Sequence, residues 1–328
     1  MDIEIVSLLK GEKLNIWKAF LKKCELEADE NVGKTVFVWD EDELVACGSI
    51  SENLLKCIAV SENRQGEGLT ATVLTALKNE ALSSGQRHLF LYTKPKNEMM
   101  FSSLFFYPIA KTDKVLLMED KKNGIGEFIA SLPAKANGKT VGACVMNCNP
   151  FTLGHRYLIE EAAKECELLY VFVLSEDKSR FSAEDRIEMV RRGTRDLETV
   201  AVLPTGDYLI SQKTFPTYFL KDREILPNAQ CELDIEIFTK YFAPRFNITH
   251  RYVGTEPNSP LTNSYNKELI KLLPQKNIEV KEIKRLEKDG KAISASDFRR
   301  LLDEGNLKAA KELVPKSTFN YIIDNKLI

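Results

Sequence analysis

Apolar and polar positions follow two different rhythms along the chain. From Met1 to Met118 the periodicity predicts an amphipathic helix at Lys13 to Glu27, then short strands at Thr35 to Trp39 and Leu44 to Ser49. The charged turn Asp40 to Glu43 makes those strands a hairpin. A strand at Leu54 to Val60, the loop SENRQGEGL, a helix at Thr70 to Leu82, a strand at His88 to Thr93 and an aromatic helix at Met99 to Tyr107 complete this half, which reads as α+β. After Lys139 strands and helices alternate. An apolar strand from Gly142 leads into a helix at Gly154 to Cys166, and Leu168 to Leu174 is unbroken apolar sequence, as in a strand buried on both faces. A helix through Arg192 opens at Ser182, with Asp185 at capping-box spacing, and a strand follows at Thr199 to Leu203. Helices are predicted at Phe215 to Leu220, Cys231 to Phe242, Ile293 to Leu302 and Leu307 to Val314, and strands at Ile248 to Val253 and Val280 to Leu286. That alternation predicts an α/β, doubly wound (Rossmann-like) parallel sheet, whose ligands bind beyond the carboxyl ends of the strands.

Glycine, proline, lysine and asparagine gather at both ends of Glu119 to Lys139. The expected organisation is a first domain at 1–124, a linker at 125–138 and a second domain at 139–328. A formal net charge of −2 over 328 residues gives no global field for nucleic acid or an anionic membrane. No apolar run reaches the about 18 residues of a membrane span. Seven scattered cysteines suit a reducing, cytoplasmic setting better than a disulfide framework, and Cys144 and Cys148 are read as packing residues.

The chemistry concentrates in GACVMNCNPFTLGHRYLI, from Gly142 to Ile159. A strand, a turn through Asn149 and Pro150, then Thr152, Gly154 and His155 deliver a hydroxyl and an imidazole to a helix N-terminus, where unpaired N–H groups and the helix dipole attract phosphate. Lys178 and Gly254 fall at the ends of later strands, toward the same site. In ISASDFR, Ser294 and Ser296 open another helix with Arg299 one turn in, a residue whose forked donors grip phosphate oxygens. A plainer reading has Ser294 capping its helix with Asp297. In the first half, Gln65, Gly66, Glu67 and Gly68 form a glycine-rich loop before a helix, either an anion cradle or simply a turn. His88 and His250 are read as structural residues.

RQGEGL and the later FSSLFFYPI make the first half resemble the Gcn5-related N-acetyltransferase fold, with Asn63 where that family has arginine or glutamine. The resemblance implies a pyrophosphate at the loop; no general base for an amine acceptor stands out. NPFTLGH and ISASDFR together resemble the paired signatures of the HxGH nucleotidyltransferases, in the branch with threonine at the first histidine position. By that resemblance Thr152, His155 and Lys178 act on the phosphates, while Asn149, Pro150, Phe151, Gly154, Arg186, Gly254, Ser294, Ser296 and Arg299 hold ATP, which carries hydrated Mg2+. Over its whole length the chain resembles the acetate:citrate lyase ligases, with NCNPFTLGHRYLIEEAA, GTEP, SYNKEL and ISASDFRR. That implies acetate and ATP yielding AMP and pyrophosphate through acetyl-adenylate. The acetyl acceptor is then the thiol of the phosphoribosyl-dephospho-coenzyme A arm on the acyl carrier subunit of citrate lyase, with Gln65, Gly66 and Gly68 holding the arm. Two alternatives stay open on the residues alone: an adenylyltransferase of the pantetheine-phosphate or nicotinamide-nucleotide type, and a regulatory module sensing a nucleotide or acetyl-coenzyme A.

Overall fold

A computed structural model describes the chain except residues 30, 136–137, 176–178, 210–214, 217, 221–225, 257–258 and 289, and except the side chains of 226–227 and 260–261. The chain divides into two compact units. Unit one comprises Met1–Gly124 with Phe215–Leu233, and unit two Ile125–Thr214 with Asp234–Ile328.

Unit one contains β1 (Asp2–Val6), α1 (Gly11–Lys23), β2 (Lys34–Asp40), β3 (Glu43–Ser51), β4 (Leu54–Val60), α2 (Leu69–Ser83), β5 (Phe90–Thr93), α3 (Glu98–Ser103), β6 (Tyr107–Lys111) and β7 (Leu116–Glu119). Their seven-stranded sheet runs β1-β2-β3-β4-β5-β7-β6. Helix α2 buries Leu69, Val73, Leu74, Leu77 and Ala81, one apolar stripe, against Val36, Val38, Val45 and Leu55 of the sheet. The helix lies so close that a Cβ at Gly48 would stand 2.5 Å from Val73. Strands β4 and β5 are parallel, pair only through Leu54 with Phe90 and Leu55 with Leu91, and then separate. Cys57 sits at the break with φ +50°, and the β3–β4 register shifts beside it, as a bulge does when it bends a strand away.

The predicted helix at Met99 to Tyr107 stops early. α3 ends at Ser103, Phe105 turns the chain at φ +62°, and Tyr107 already begins a strand. An aromatic run carries no clear period, so helix and strand looked alike there. The exposed edge strand β1 and the short β7 also escaped the reading.

Unit two contains β8 (Val141–Met146), α5 (Leu153–Lys164), β9 (Leu168–Val173), α6 (Ala183–Gly193), β10 (Val200–Pro204), β11 (His250–Gly254), α9 (Pro260–Leu272), β12 (Glu279–Ile283), α10 (Ala295–Asp303), α11 (Leu307–Lys311) and α12 (Lys316–Asp324). α4 (Gly124–Ser131) precedes β8, while α7 (Leu226–Ile237) and α8 (Ala243–Phe246) precede β11. A short hairpin of β13 (Glu287–Lys288) and β14 (Lys291–Ala292) lies between β12 and α10. The sheet is wholly parallel in the order β10-β9-β8-β11-β12. Every residue of β9 is buried, as its unbroken apolar sequence requires. Strand order reverses between β8 and β11, which pair only at Gly142 and Ala143, so their carboxyl ends flank an opening.

Residues 125–138, expected as linker, belong to unit two and include most of α4. Residues 215–233, expected in the second domain, belong to unit one. There the Phe215 ring meets Tyr92 edge-on at 5.5 Å, the Tyr218 hydroxyl donates to the Tyr92 carbonyl at 3.1 Å, and the Glu27 N–H donates to the Tyr218 carbonyl at 2.8 Å. The helix predicted at Phe215 to Leu220 is absent among the described residues of that stretch. Its polar groups bond to strand and loop of unit one instead.

Candidate active site

Strand β8 ends at Met146 and the chain turns through Asn147 to Thr152 before α5 begins. Thr152, 1 % exposed, is the N-cap of α5. Its hydroxyl accepts from the His155 N–H at 3.3 Å and lies 2.9 Å from His155 Nδ1, while its own N–H donates to that nitrogen at 3.0 Å. A main-chain N–H can only donate, so Nδ1 accepts and the proton of the neutral ring resides on Nε2. Burial, with a further push from the Arg285 charge, lowers the imidazole from 6.5 to about 4. His155 is therefore an uncharged donor at neutral pH. Phe151, fully buried, stacks on its ring at 6.1 Å between centroids and 14° between planes.

The two motifs meet in space. A Cβ at Gly154 would stand 3.0 Å from the Ile293 carbonyl oxygen, so the missing side chain lets α5 approach the segment opening α10. Arg299 Nη1 donates to the Asn149 carbonyl and Nη2 to Ser296 Oγ at 3.2 Å. Ser294 caps α10: its hydroxyl accepts from the Asp297 N–H at 3.0 Å and donates to the Asp297 carboxylate at 2.9 Å. Ser294 thus has a structural engagement of its own, whereas Ser296 is exposed beside Arg299.

Gly254 closes β11, at the opening between β8 and β11. Lys178 lies outside the described residues. Arg186, expected to hold ATP, is instead engaged by main chain. It is fully buried, with Nη1 donating to the carbonyls of Asn147 at 2.9 Å and Leu174 at 2.7 Å and to Asn147 Oδ1 at 2.6 Å, and Nε donating to the Phe181 and Ser182 carbonyls. It braces the loops after β8 and β9. Cys144 and Cys148 are buried in the core, and burial pushes the Cys144 thiol up to about 12.

Two arginines join the site without having been singled out. Arg180 pairs with Asp303, one helical turn beyond Arg299, and burial, with a further push from the Arg180 charge, lowers the Arg299 guanidinium. Arg285 follows β12, packs its stem over Gly254 and pairs with Glu256. SEDKSRF held a visible signal for Arg180. Arg285 falls inside the strand predicted at Val280 to Leu286, and only the end of β12 at Ile283 frees it to face the site. Among the described residues no group of three or more His, Cys, Asp and Glu is placed to hold a metal ion.

In unit one, the separation of β4 from β5 opens a cavity of about 440 Å³ between Ile58–Val60 and Leu91–Thr93. Gln65, Gly66 and Gly68 line it together with Lys94, Lys96 and Tyr218. Gly66 and Gly68 have φ +89° and +79°, and a Cβ at either would point into open space. Arg64, beside Asn63, donates to Glu67 at 2.8 Å and to Asp40 at 2.7 Å. His88 pairs with Glu119 at 2.7 Å and His250 with Thr249 at 2.8 Å.

An all-parallel doubly wound sheet with a threonine–histidine capped helix at its switch point is a Rossmann-like domain, here in a chain that also carries an α+β unit. The signature of the citrate lyase ligase C-terminal domain matches residues 141–322. The [citrate [pro-3S]-lyase] ligase of Klebsiella pneumoniae is 40 % identical over 310 residues, 93 % of this chain and 91 % of that protein. Its Escherichia coli counterpart is 39 % identical over 92 % of this chain and 88 % of that protein. Thermotoga maritima TmcAL, solved bound with alpha-thio ATP, is 14 % identical, with a TM-score of 0.37 over 57 % of this chain and 56 % of that one. The chain belongs to the citrate lyase ligase family. No helix among its described residues is long and apolar enough to cross a membrane.

Proposed function

We propose that this protein is an AMP-forming acid–thiol ligase that activates citrate lyase by acetylating it. A carboxylate oxygen of acetate attacks the α-phosphorus of ATP, and the electron pair of the broken P–O bond leaves with pyrophosphate. The thiolate of the phosphoribosyl-dephospho-coenzyme A arm on the acyl carrier subunit then attacks the carbonyl carbon of acetyl-adenylate, and AMP departs. Phosphoryl transfer of this kind needs positioning and charge stabilisation rather than a covalent protein intermediate.

The observation that carries the reading is the His155 ring, held neutral with Nε2–H as its free donor at the α5 N-terminus, beside the segment that bears Ser296 and Arg299. Nε2–H donates to the α-phosphoryl oxygens as charge builds there. Thr152 fixes the tautomer and orientation of the ring, so it is a positioning residue. Arg299, with Arg180 close by, holds the phosphates that leave. Lys178 neutralises the same triphosphate, which brings Mg2+ as part of the substrate. The cavity of unit one takes the coenzyme A-like arm, with its pyrophosphate at Gln65, Gly66 and Gly68 and the pantetheine portion between β4 and β5.

Acetate-dependent exchange of labelled pyrophosphate into ATP tests this reading. Exchange is expected with acetate and ATP alone, without the carrier protein. An acetate-independent exchange, or AMP retained on an acceptor other than acetate, overturns it.

A further inference from the structure

Arg285 stands where the ends of β11 and β12 meet the helix that carries His155. Its N–H donates to Thr255 Oγ1 at 3.1 Å, and the Thr255 N–H donates to the Ile283 carbonyl at 2.9 Å, so the two strand ends are tied together at this point. The stem of Arg285 runs over Gly254: a Cβ there would lie 3.8 Å from Arg285 Cγ and 4.0 Å from Nε. The same Cβ would lie 2.9 Å from Leu158, which is one turn along α5 from His155. The bare backbone of Gly254 is what lets guanidinium and α5 face each other here. The Arg285 charge reaches the imidazole, whose proton affinity it helps to lower.

Its present partner is an awkward one. Glu256 leaves only 14 % of its side chain exposed, and burial raises its carboxyl despite the adjacent guanidinium. A carboxyl raised in that way takes up a proton more readily than an exposed one when the guanidinium leaves it, which lessens the cost of exchanging partners. The remaining guanidiniums of the site, Arg180 and Arg299, stand over the loops after β9 and β8, across the strand-order reversal from Arg285. On the β11–β12 side, Arg285 is a guanidinium whose charge reaches the His155 ring.

We propose that Arg285 is a substrate-binding residue that exchanges Glu256 for an oxyanion of the reacting pair, with Glu256 holding the guanidinium in place until the substrate enters. This rests on the adenylation reading above and adds to it a group for the anion on the β11–β12 side. Two sources supply such an oxyanion, the α-phosphoryl group of ATP and the carboxylate of acetate, and both present the same pair of oxygens to a guanidinium fork.

The test uses the full-length protein with Arg285→Met, which keeps the stem but not the charge, and Glu256→Gln, which frees the guanidinium. Equilibrium ATP binding and the KM for acetate in pyrophosphate exchange are measured for each. Arg285→Met is expected to weaken one of the two by about tenfold or more, the scale of a lost charge-assisted hydrogen bond. A weaker ATP affinity assigns the phosphoryl group, and a raised acetate KM at unchanged ATP affinity assigns the carboxylate. Glu256→Gln is expected to tighten the same constant, a direction that loss of a merely structural pair does not produce. The proposal is overturned if both constants stay within about threefold of wild type in Arg285→Met, or if both variants weaken the same constant together. Should Arg285→Met fail to fold, the sign of the Glu256→Gln effect decides. A wild-type protein that binds ATP but shows no acetate-dependent exchange refutes the adenylation reading instead, and the ATP-binding arm still judges Arg285.

Discussion

The Thr152 main-chain N–H donates to His155 Nδ1 at 3.0 Å, and that bond fixes which nitrogen of the imidazole carries the proton. Its consequence for pH is direct. An unfolded histidine gains a proton near 6.5, whereas the folded ring does so near 4, so the unfolded state binds the extra proton as pH falls between those values. Folding stability from this group is therefore complete above 6.5 and is lost as pH drops toward 4. NMR titration of the His155 ring in the ligand-free protein is expected to give a midpoint near 4, rising when ATP brings negative charge to Nε2. A midpoint at an ordinary histidine value would remove the neutral-donor assignment.

Replacing His155 by alanine should cut acetate-dependent pyrophosphate exchange by roughly 10² to 10³, the scale for one preorganised donor. ATP affinity should change much less, because the hydrogen bond strengthens as the transition state forms. Rate and affinity falling by the same factor would mean that His155 only binds ground-state ATP.

Arg299 and Arg186 should separate cleanly. Arg299→Ala is expected to weaken ATP binding together with rate, since it meets phosphates before and during reaction. Arg186→Met should instead lower unfolding free energy by about 3 kcal/mol or more, by leaving several buried carbonyls without a donor, with ATP affinity of the folded fraction little changed. Chemical denaturation and equilibrium ATP binding on both variants measure the contrast. Loss of ATP binding at wild-type stability in Arg186→Met would return that residue to the phosphate site.

At the unit-one cavity, Gly66→Val and Gly68→Val strain a left-handed backbone that valine rarely adopts, although nothing blocks the new side chain. Distortion of this loop should raise the KM for the carrier-bound thiol while acetate-dependent exchange persists. If transfer to the carrier is unchanged in a folded variant, the loop does not hold the arm.

Motifs confined to one turn of chain were the most legible part of the site. Thr152, Gly154 and His155 lie at a helix N-terminus that ten residues of sequence specify, and ISASDFR likewise places Ser294, Ser296 and Arg299 at the start of α10. Arg186 was harder, because a basic residue in the first turn of a helix that follows a strand can face a ligand or turn back onto main-chain carbonyls, and only burial distinguishes the two. Arg285 was invisible for a different reason. Its importance depends on β12 lying beside β11 and on Gly254 offering no side chain, neither of which is a property of its own neighbourhood in sequence. The strand hydrophobicity of the second half announced the parallel sheet, whereas Phe215 to Leu220 looked helical because its aromatic content revealed nothing about which surface it would cover.

The position of Phe215–Leu233 within unit one sets an order of events during synthesis. Domains ordinarily complete folding as they leave the ribosome, N-terminal first. Here the first unit lacks its own Tyr218 until more than half the polypeptide has emerged, by which time β8, β9 and β10 are already outside. Nascent Tyr92 must therefore wait, its carbonyl served by solvent, while the nucleotide-type sheet begins to assemble from later sequence. A stop codon after Gly124 would release not a finished small domain but a sheet missing one of its covers, and a chain begun at Lys139 would carry that cover with nothing to close.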